Sequence, residues 1–234
     1  MASKWPRTVR ILVRGIKRVH GLAAMNLGRI GSISPLSRNW GYDRGTPVDR
    51  YYIERFLADH AGDVHGQVLE IQEDDYSRRF GGAHVTKQDI LNIDASNPRA
   101  TIIGDLADPK TLKAGQYDCI VLTQTLHLVF DMAGVIANVR RALKPGGVLL
   151  VTVPGITPVQ PGEGYHWFWS LTGDALRKLL EASFDPAKVE VKTYGNLLSA
   201  TAFLHAAAVQ EIPKRKLDRF DPRYPVTIAA RAVA

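Results

Sequence analysis

Polar side chains with hydrogen-bonding capacity stand near the carboxyl ends of the first four predicted strands. They are Glu70 and Gln72, then Asp89, then Asp105, and finally the run Thr123–Thr125, which includes Gln124. Ligands of an open parallel sheet bind beyond the carboxyl ends of its strands, where the strand order reverses. Carboxylates in that position accept hydrogen bonds from hydroxyl and amino groups. These residues therefore predict a site for a small polar molecule at this edge of the sheet.

Two histidines could supply acid–base chemistry beside that site. His127 follows the fourth predicted strand, and His166 opens the aromatic run Trp167–Trp169. A histidine titrates in the range that a general base needs. Each could equally be an ordinary loop or core histidine, and the aromatic run could stack on a ligand or belong to the core. No cluster with metal-ligand spacing occurs, so no metal site is predicted.

The elements that must position these residues alternate along the chain from residue 67 onward. The predicted strands are 67–71, 84–91, 100–106, 117–125, 148–154, 188–194 and 225–233. The predicted helices are 48–61, 75–81, 132–143, 172–183 and 198–212. Strands that alternate with helices predict a parallel sheet covered on both faces, which is an α/β fold.

The charge is concentrated at the N-terminus, in a predicted arm over 1–47 that precedes a domain over 48–234. The chain carries a net charge of +7, yet residues 1–44 hold nine Lys and Arg against the single acid Asp43. Apolar residues at helical spacing over 5–23 predict a basic amphipathic helix. It could pack on the domain or a partner, or lie on an anionic membrane surface. We favour packing. Because the domain itself is electrically balanced, nucleic acid is not the favoured partner.

The remaining composition is that of an ordinary globular protein, with 45% hydrophobic and 23% charged residues. Cys119 is the only cysteine, which excludes an intramolecular disulfide. We therefore predict a reducing, cytoplasmic location, at the inner membrane surface if the arm binds lipid.

Four motifs occur in the order found in one enzyme family. They are VLEI (68–71), Asp89, IIGDL (102–106) and the stretch from YDCIVLTQTLHLV to RALKPGGVLLVTVPG (117–155). Over residues 48–233 the chain resembles the class I S-adenosylmethionine-dependent methyltransferases. The resemblance implies a Rossmann-like, doubly wound, seven-stranded sheet. In that sheet strand 225–233 runs antiparallel beside the fifth strand, and residues 186–194 form the edge beyond it.

The resemblance also implies S-adenosyl-L-methionine as the cofactor and gives the residues their roles. Asp89 would bind the ribose hydroxyls, with Asp94 as the alternative. Asp105 would accept from the adenine amino group, and the backbone of Leu106 would serve the ring. Glu70, Gln72 and Gln124 would face the methionine moiety. Arg44 would pair with the methionine carboxylate or an acidic acceptor, or would only cap its loop.

The first loop departs from the family pattern. The family carries glycines after the first strand so that the backbone can approach the cofactor, whereas residues 70–76 read EIQEDDY. The acids could favour the sulfonium charge, or the loop could be remodelled with cofactor affinity weakened or lost.

Three functions are compatible with these observations. The first is methylation of a sugar or other small-molecule hydroxyl, because RGTPVDRYYIERFL (44–57) and TLHLV (125–129) look like sequences associated with glycosyltransferases and polysaccharide assembly. The second is a binding or regulatory module that keeps the fold without turnover. The third is a nucleic-acid methyltransferase. The chain lacks an Asn/Asp-Pro-Pro-aromatic tetrapeptide after the fourth strand, which argues against this function.

We expect deletion of residues 1–25 to leave the domain folded and cofactor binding intact, because the charge pattern separates the arm from the domain. Thermal unfolding and calorimetric titration of the truncated chain would check this. A large fall in melting temperature would show instead that the arm packs on the core.

Overall fold

The computed structural model describes residues 32–160 and 166–234, so the predicted helix over 5–23 lies outside the described residues. A seven-stranded sheet with the order β3-β2-β1-β4-β5-β7-β6 forms the centre of the described chain. The strands are β1 Gly66–Ile71, β2 Val85–Asn92, β3 Ile102–Ile103, β4 Tyr117–Thr123, β5 Leu143–Pro154, β6 Val189–Tyr194 and β7 Thr227–Val233. β7 pairs antiparallel with both β5 and β6, whereas β1 to β5 are parallel. The predicted fold is confirmed, including the antiparallel last strand beside β5 and the edge strand beyond it.

Six α-helices connect the strands within the described residues. They are α1 Val48–Asp59, α2 Asp75–Gly81, α3 Met132–Ala142, α4 Gly173–Glu181, α5 Leu197–Leu204 and α6 Lys214–Leu217. No helix in this part of the chain is long and apolar enough to cross a membrane.

The helices cover the two faces of the sheet and bury a separate apolar cluster on each. Leu149, Val151 and Val153 of β5 point to the face that α3 and α4 cover. Val148 and Leu150, which alternate with these residues along β5, point to the face that α1 and α5 cover. Alternating side chains of a strand lie on opposite faces, so β5 supports both cores at once.

Three elements differ from their predicted bounds by several residues. β5 begins at Leu143 rather than at residue 148. β3 has two residues rather than seven, since Thr101 is in a bend and Gly104–Asp105 already belong to the loop. The predicted helix over 198–212 ends as α5 at Leu204, and Ala206 then has a positive φ of 55°. Beyond this point the chain leaves the helix to bind the segment before α1, where Val209 N–H donates to the Thr46 carbonyl at 2.8 Å. This contact joins the segment that leads into α1 to the segment that follows α5.

Candidate functional site

Three adjoining cavities lie at the carboxyl ends of the parallel strands. The central cavity, about 640 Å³, lies between the β1–α2 loop and α1. The edge cavity, about 250 Å³, lies at the ends of β2 and β3. The aromatic cavity, about 320 Å³, is lined by Trp40, Tyr42 and Trp167 among others. Gln72 lines the central and edge cavities and Gln124 lines the central and aromatic ones, so the three form one groove. The groove lies where strand order reverses between β1 and β4, the expected ligand position.

Glu70 lines the central cavity but its carboxylate is already engaged by the chain. It accepts from the backbone N–H of Tyr76 at 3.2 Å and of Ser77 at 2.7 Å, and also from the Ser77 hydroxyl. These donors belong to the first turn of α2, whose orphan N–H groups need acceptors. Burial raises the pKa of Glu70, and the Ser77 donors oppose that rise. Glu70 therefore fixes the loop at the cavity wall.

The glycine-free loop keeps a glycine-like conformation at its first position. Gln72 has a φ of 68°, a left-handed value that costs a non-glycine residue on the order of 1 kcal/mol. Asn97 donates to the Gln72 carbonyl, and the buried Asp74 carboxylate pairs with Arg78 and Arg99. These contacts hold the turn in place. The sequence departure therefore leaves the loop folded beside an open cavity.

Gln124 lies at the junction of the central and aromatic cavities. It directly follows β4 with a φ of 47°, and its backbone N–H donates to the Thr152 carbonyl at 2.9 Å. Its Nε2 atom is buried and has no partner among the described residues. Because buried amide donors are almost always paired in native proteins, this atom is available to a ligand oxygen.

Arg50, rather than Arg44, supplies the groove with a cation that is free to pair with a ligand. Arg79 also lines the central cavity, but it pairs with Glu54. Arg44 pairs with Glu211 and does not line the cavities, which is the loop-capping alternative stated above. Arg50, in the first turn of α1, lines both the central and aromatic cavities. Its guanidinium donates to the Tyr42 and Tyr76 hydroxyls at 3.0 and 3.4 Å and forms no ion pair with the described residues. It can therefore bind an anionic group of a ligand.

Asp89 lies away from the groove. It pairs with Leu69 in the middle of β2, three residues before the strand ends, and accepts from Gln67 Nε2 at 3.0 Å and Thr101 Oγ1 at 3.1 Å. Asp94 follows the strand, but its carboxylate accepts from Ser96, which lowers its pKa. The residues from β2 that line the edge cavity are Asn92 and Ile93.

Asp105 and Leu106 line the edge cavity from the end of β3, opposite Asn92 and Ile93. Asp105 is exposed, and its Oδ1 accepts from the Ala107 N–H at 2.9 Å. Its backbone carbonyl also accepts a hydrogen bond, but its second carboxylate oxygen accepts none from the described residues. Leu106 is buried and supplies an apolar wall. The edge cavity thus combines a carboxylate with apolar surfaces, as a flat ring with an amino group requires.

The two histidines line different cavities. His127 lines the aromatic cavity from a short 3-10 helix after β4, with its ring centroid 4.4 Å from that of Trp167. It is only 2% exposed, and burial lowers its pKa to about 4. Its Nδ1 has no partner within the described part of the chain. His166 is exposed and lines the edge cavity instead.

Asp49 is a further residue of the groove that no sequence pattern singled out. It is half-buried in the first turn of α1, lines the aromatic cavity, and has a pKa raised by desolvation. The motif RGTPVDRYYIERFL contained both Asp49 and Arg50. Only the position of that helix turn distinguishes them from Arg44. Within residues 32–160 and 166–234, no three His, Cys, Asp or Glu side chains are grouped as metal ligands.

The sheet order, the antiparallel final strand and the groove define the fold of the class I S-adenosylmethionine-dependent methyltransferases. The family model of the methyltransferase domain matches residues 28–207, and the chain belongs to that family. The cofactor of this class is S-adenosyl-L-methionine.

Solved structures share the fold at low sequence identity. An S-adenosylmethionine-dependent methyltransferase from Mesorhizobium loti has a TM-score of 0.54 and 17% identity, over 80% of this chain and 100% of its own. A methyltransferase from Archaeoglobus fulgidus has a TM-score of 0.50 and 11% identity, over 79% and 94%. The 4+2 cyclase SpnF has a TM-score of 0.54 and 14% identity, over 93% and 94%. No curated protein matches the sequence.

Proposed function

We propose that this protein transfers the methyl group of S-adenosylmethionine to a hydroxyl of a sugar or another small molecule. One observation carries the proposal. Gln124 and His127, both with an unpartnered buried nitrogen among the described residues, follow β4 where the central and aromatic cavities adjoin. Such nitrogens at the meeting point of two cavities suit a reaction between two bound molecules.

The edge and central cavities fit the two ends of the cofactor. In the edge cavity the adenine ring would lie between Ile93 and Leu106, with Asp105 accepting from its amino group. In the central cavity the methionine carboxylate would pair with Arg50 and accept from Gln124 Nε2. The fit rests on three groups that have no such partner among the described residues. They are the second carboxylate oxygen of Asp105, the Arg50 guanidinium, which forms no ion pair, and the Gln124 amide nitrogen.

The aromatic cavity fits an uncharged polyol such as a sugar. Trp40, Tyr42 and Trp167 supply ring faces, while Asp49 and Gln160 supply hydrogen-bonding groups. Aromatic faces combined with a few convergent polar groups are suited to the apolar faces and hydroxyls of a sugar ring. The resemblance of residues 44–57 to sequences associated with glycosyltransferases supports the same substrate class.

The residues of this chain have distinct parts in such a reaction. Bound S-adenosylmethionine supplies a methyl group activated by its sulfonium charge. Arg50 and Gln124 orient the methyl donor, and the aromatic side chains orient the acceptor hydroxyl. As the new carbon–oxygen bond forms and the methyl–sulfur bond breaks, releasing S-adenosylhomocysteine, the hydroxyl proton would move to the neutral imidazole of His127, which burial keeps unprotonated at neutral pH.

Two measurements test the proposal in order. Calorimetric titration with S-adenosylmethionine should give saturable binding, and absence of binding would contradict the cofactor assignment. Methyl incorporation from labelled S-adenosylmethionine into a panel of methyl glycosides should then identify an acceptor. Binding without transfer to a broad panel of hydroxyl compounds would favour the binding-module alternative.

We expect Asp105→Ala to weaken S-adenosylmethionine binding about tenfold, because a carboxylate that accepts from the adenine amino group is lost. Calorimetry with the matched variant Asp108→Ala provides the control, since Asp108 is exposed in the same loop but does not line the cavity. Equal affinities for the two variants would place the adenine elsewhere.

A further inference from the structure

A cationic surface with two exposed apolar side chains lies on the face formed by α6 and the start of α5. None of its four cations forms an ion pair with any described residue. We call this surface the basic patch, and it consists of Lys214, Arg215, Lys216, Arg219, Leu197 and Phe220. Leu197 is 57% exposed and Phe220 is 58% exposed.

Hydrogen bonds join the two segments of the basic patch into one rigid surface. Asn196, which caps α5 directly before Leu197, donates through Nδ2 to the carbonyls of Lys216 and Arg219 at 2.9 and 2.5 Å. The buried Leu217 anchors α6, and its carbonyl accepts from the Tyr52 hydroxyl at 3.0 Å. The exposed Lys214, Arg215 and Arg219, the half-buried Lys216 and the two apolar side chains are therefore held together on the body of the domain.

The carboxylates nearest the patch are already engaged. Asp218 accepts from Arg55 at 2.9 Å and from the Tyr51 hydroxyl at 2.7 Å. Asp221 pairs with Arg223 at 2.7 Å. Neither acid is left to neutralise the four cations of the patch, so the surface presents a positive field to solvent.

We infer that the basic patch binds the surface of an anionic lipid bilayer. Cations attract acidic headgroups, while exposed leucine and phenylalanine side chains enter the boundary between headgroups and acyl chains. A nucleic acid would pair with the cations and could stack on Phe220, but it has no apolar region that would bury an exposed leucine side chain. The combination of Leu197 with Phe220 thus favours a membrane.

The test is cosedimentation of the full chain with vesicles of phosphatidylcholine, with and without added phosphatidylglycerol. We expect binding only to the anionic vesicles, weakening as salt is added. The triple variant Lys214→Gln, Arg215→Gln, Arg219→Gln should lose about a hundredfold in partition coefficient, since each cation contributes about fivefold.

The matched control is Lys110→Gln, Lys113→Gln, Lys188→Gln, which removes the same charge from exposed sites elsewhere. The control should bind like the unaltered chain. Leu197→Ser with Phe220→Ser should weaken binding without changing its salt dependence. Melting temperatures check that all variants fold.

Three outcomes would overturn the inference. One is no binding of the full chain to anionic vesicles. Another is an equal loss in the triple variant and its control, which would reflect net charge alone. The third is vesicle binding unchanged in the triple variant; loss of binding to a tRNA probe in the same variant would then identify a nucleic-acid surface.

Discussion

Replacing His127 by alanine is expected to lower methyl-transfer turnover about 10²–10⁴-fold while leaving the affinity for S-adenosylmethionine nearly unchanged. The imidazole lines the aromatic cavity, as Gln124 does, and does not line the edge cavity. Removing it takes away the proton acceptor for the hydroxyl without touching the residues assigned to the cofactor. Single-turnover rates with the acceptor found in the glycoside panel, together with calorimetry, would measure both effects.

His166→Ala provides the control, because His166 is exposed at the edge cavity. We expect its turnover to stay close to that of the unaltered enzyme. If both histidine variants kept full turnover, the proton would leave by another route. The half-buried Asp49 carboxylate in the same cavity would then be the next residue to replace.

The pH dependence of turnover gives a separate check on His127. Burial lowers its pKa from 6.5 to about 4, so the neutral base is present above that value and lost as the pH falls through it. Turnover should therefore show no limb from His127 between about pH 5 and pH 8. A limb near 6.5 would indicate an exposed histidine.

The same depressed pKa means that the folded state binds fewer protons than the unfolded chain between about pH 6.5 and pH 4. His127 therefore lowers stability as the pH falls through that window.

Arg50→Met is expected to weaken S-adenosylmethionine binding about 10–100-fold, the cost of losing a hydrogen bond to a charged group. Methionine keeps much of the side-chain volume, and so the wall of the central cavity, but removes the only cation proposed to face the methionine carboxylate. Calorimetry measures the affinity. The melting temperature separates it from any loss of the Tyr42 and Tyr76 hydrogen bonds.

Arg44→Met is the matched control, because the Arg44 guanidinium pairs with Glu211 at the surface. It should bind S-adenosylmethionine like the unaltered chain. A strong loss of affinity in Arg44→Met with none in Arg50→Met would reverse the assignment and would restore Arg44 as the carboxylate partner.

Much of the fold follows from local sequence pattern. Asp75–Gly81 forms the predicted helix with its predicted bounds, and the fifth strand continues to the predicted end at Pro154. These element bounds depend on periodicity and on proline and glycine signals, which act over a few residues. The number of strands and the antiparallel last strand were instead implied by the resemblance to the methyltransferase family.

Part of the groove also follows from the sequence. Gln124 directly follows β4 and Asp105 lies two residues after β3, and the carboxyl ends of parallel strands meet at one edge, so both line the groove. His127 lies close by for the same reason. Such positions are predictable as soon as a strand end is located to within a residue or two.

Whether the remaining candidate residues line the groove depends on the tertiary structure. Pairing with Leu69 places Asp89 inside β2 rather than at its end, because register depends on hydrogen bonds to the neighbouring strand. The choice of Arg50 over Arg44 depends on the turn that starts α1. That turn is held by Thr46 against Val209, a contact between residues far apart in the chain that also ends α5 early. Contacts of this kind bring together segments whose local patterns carry no information about each other, so no local pattern could have predicted them.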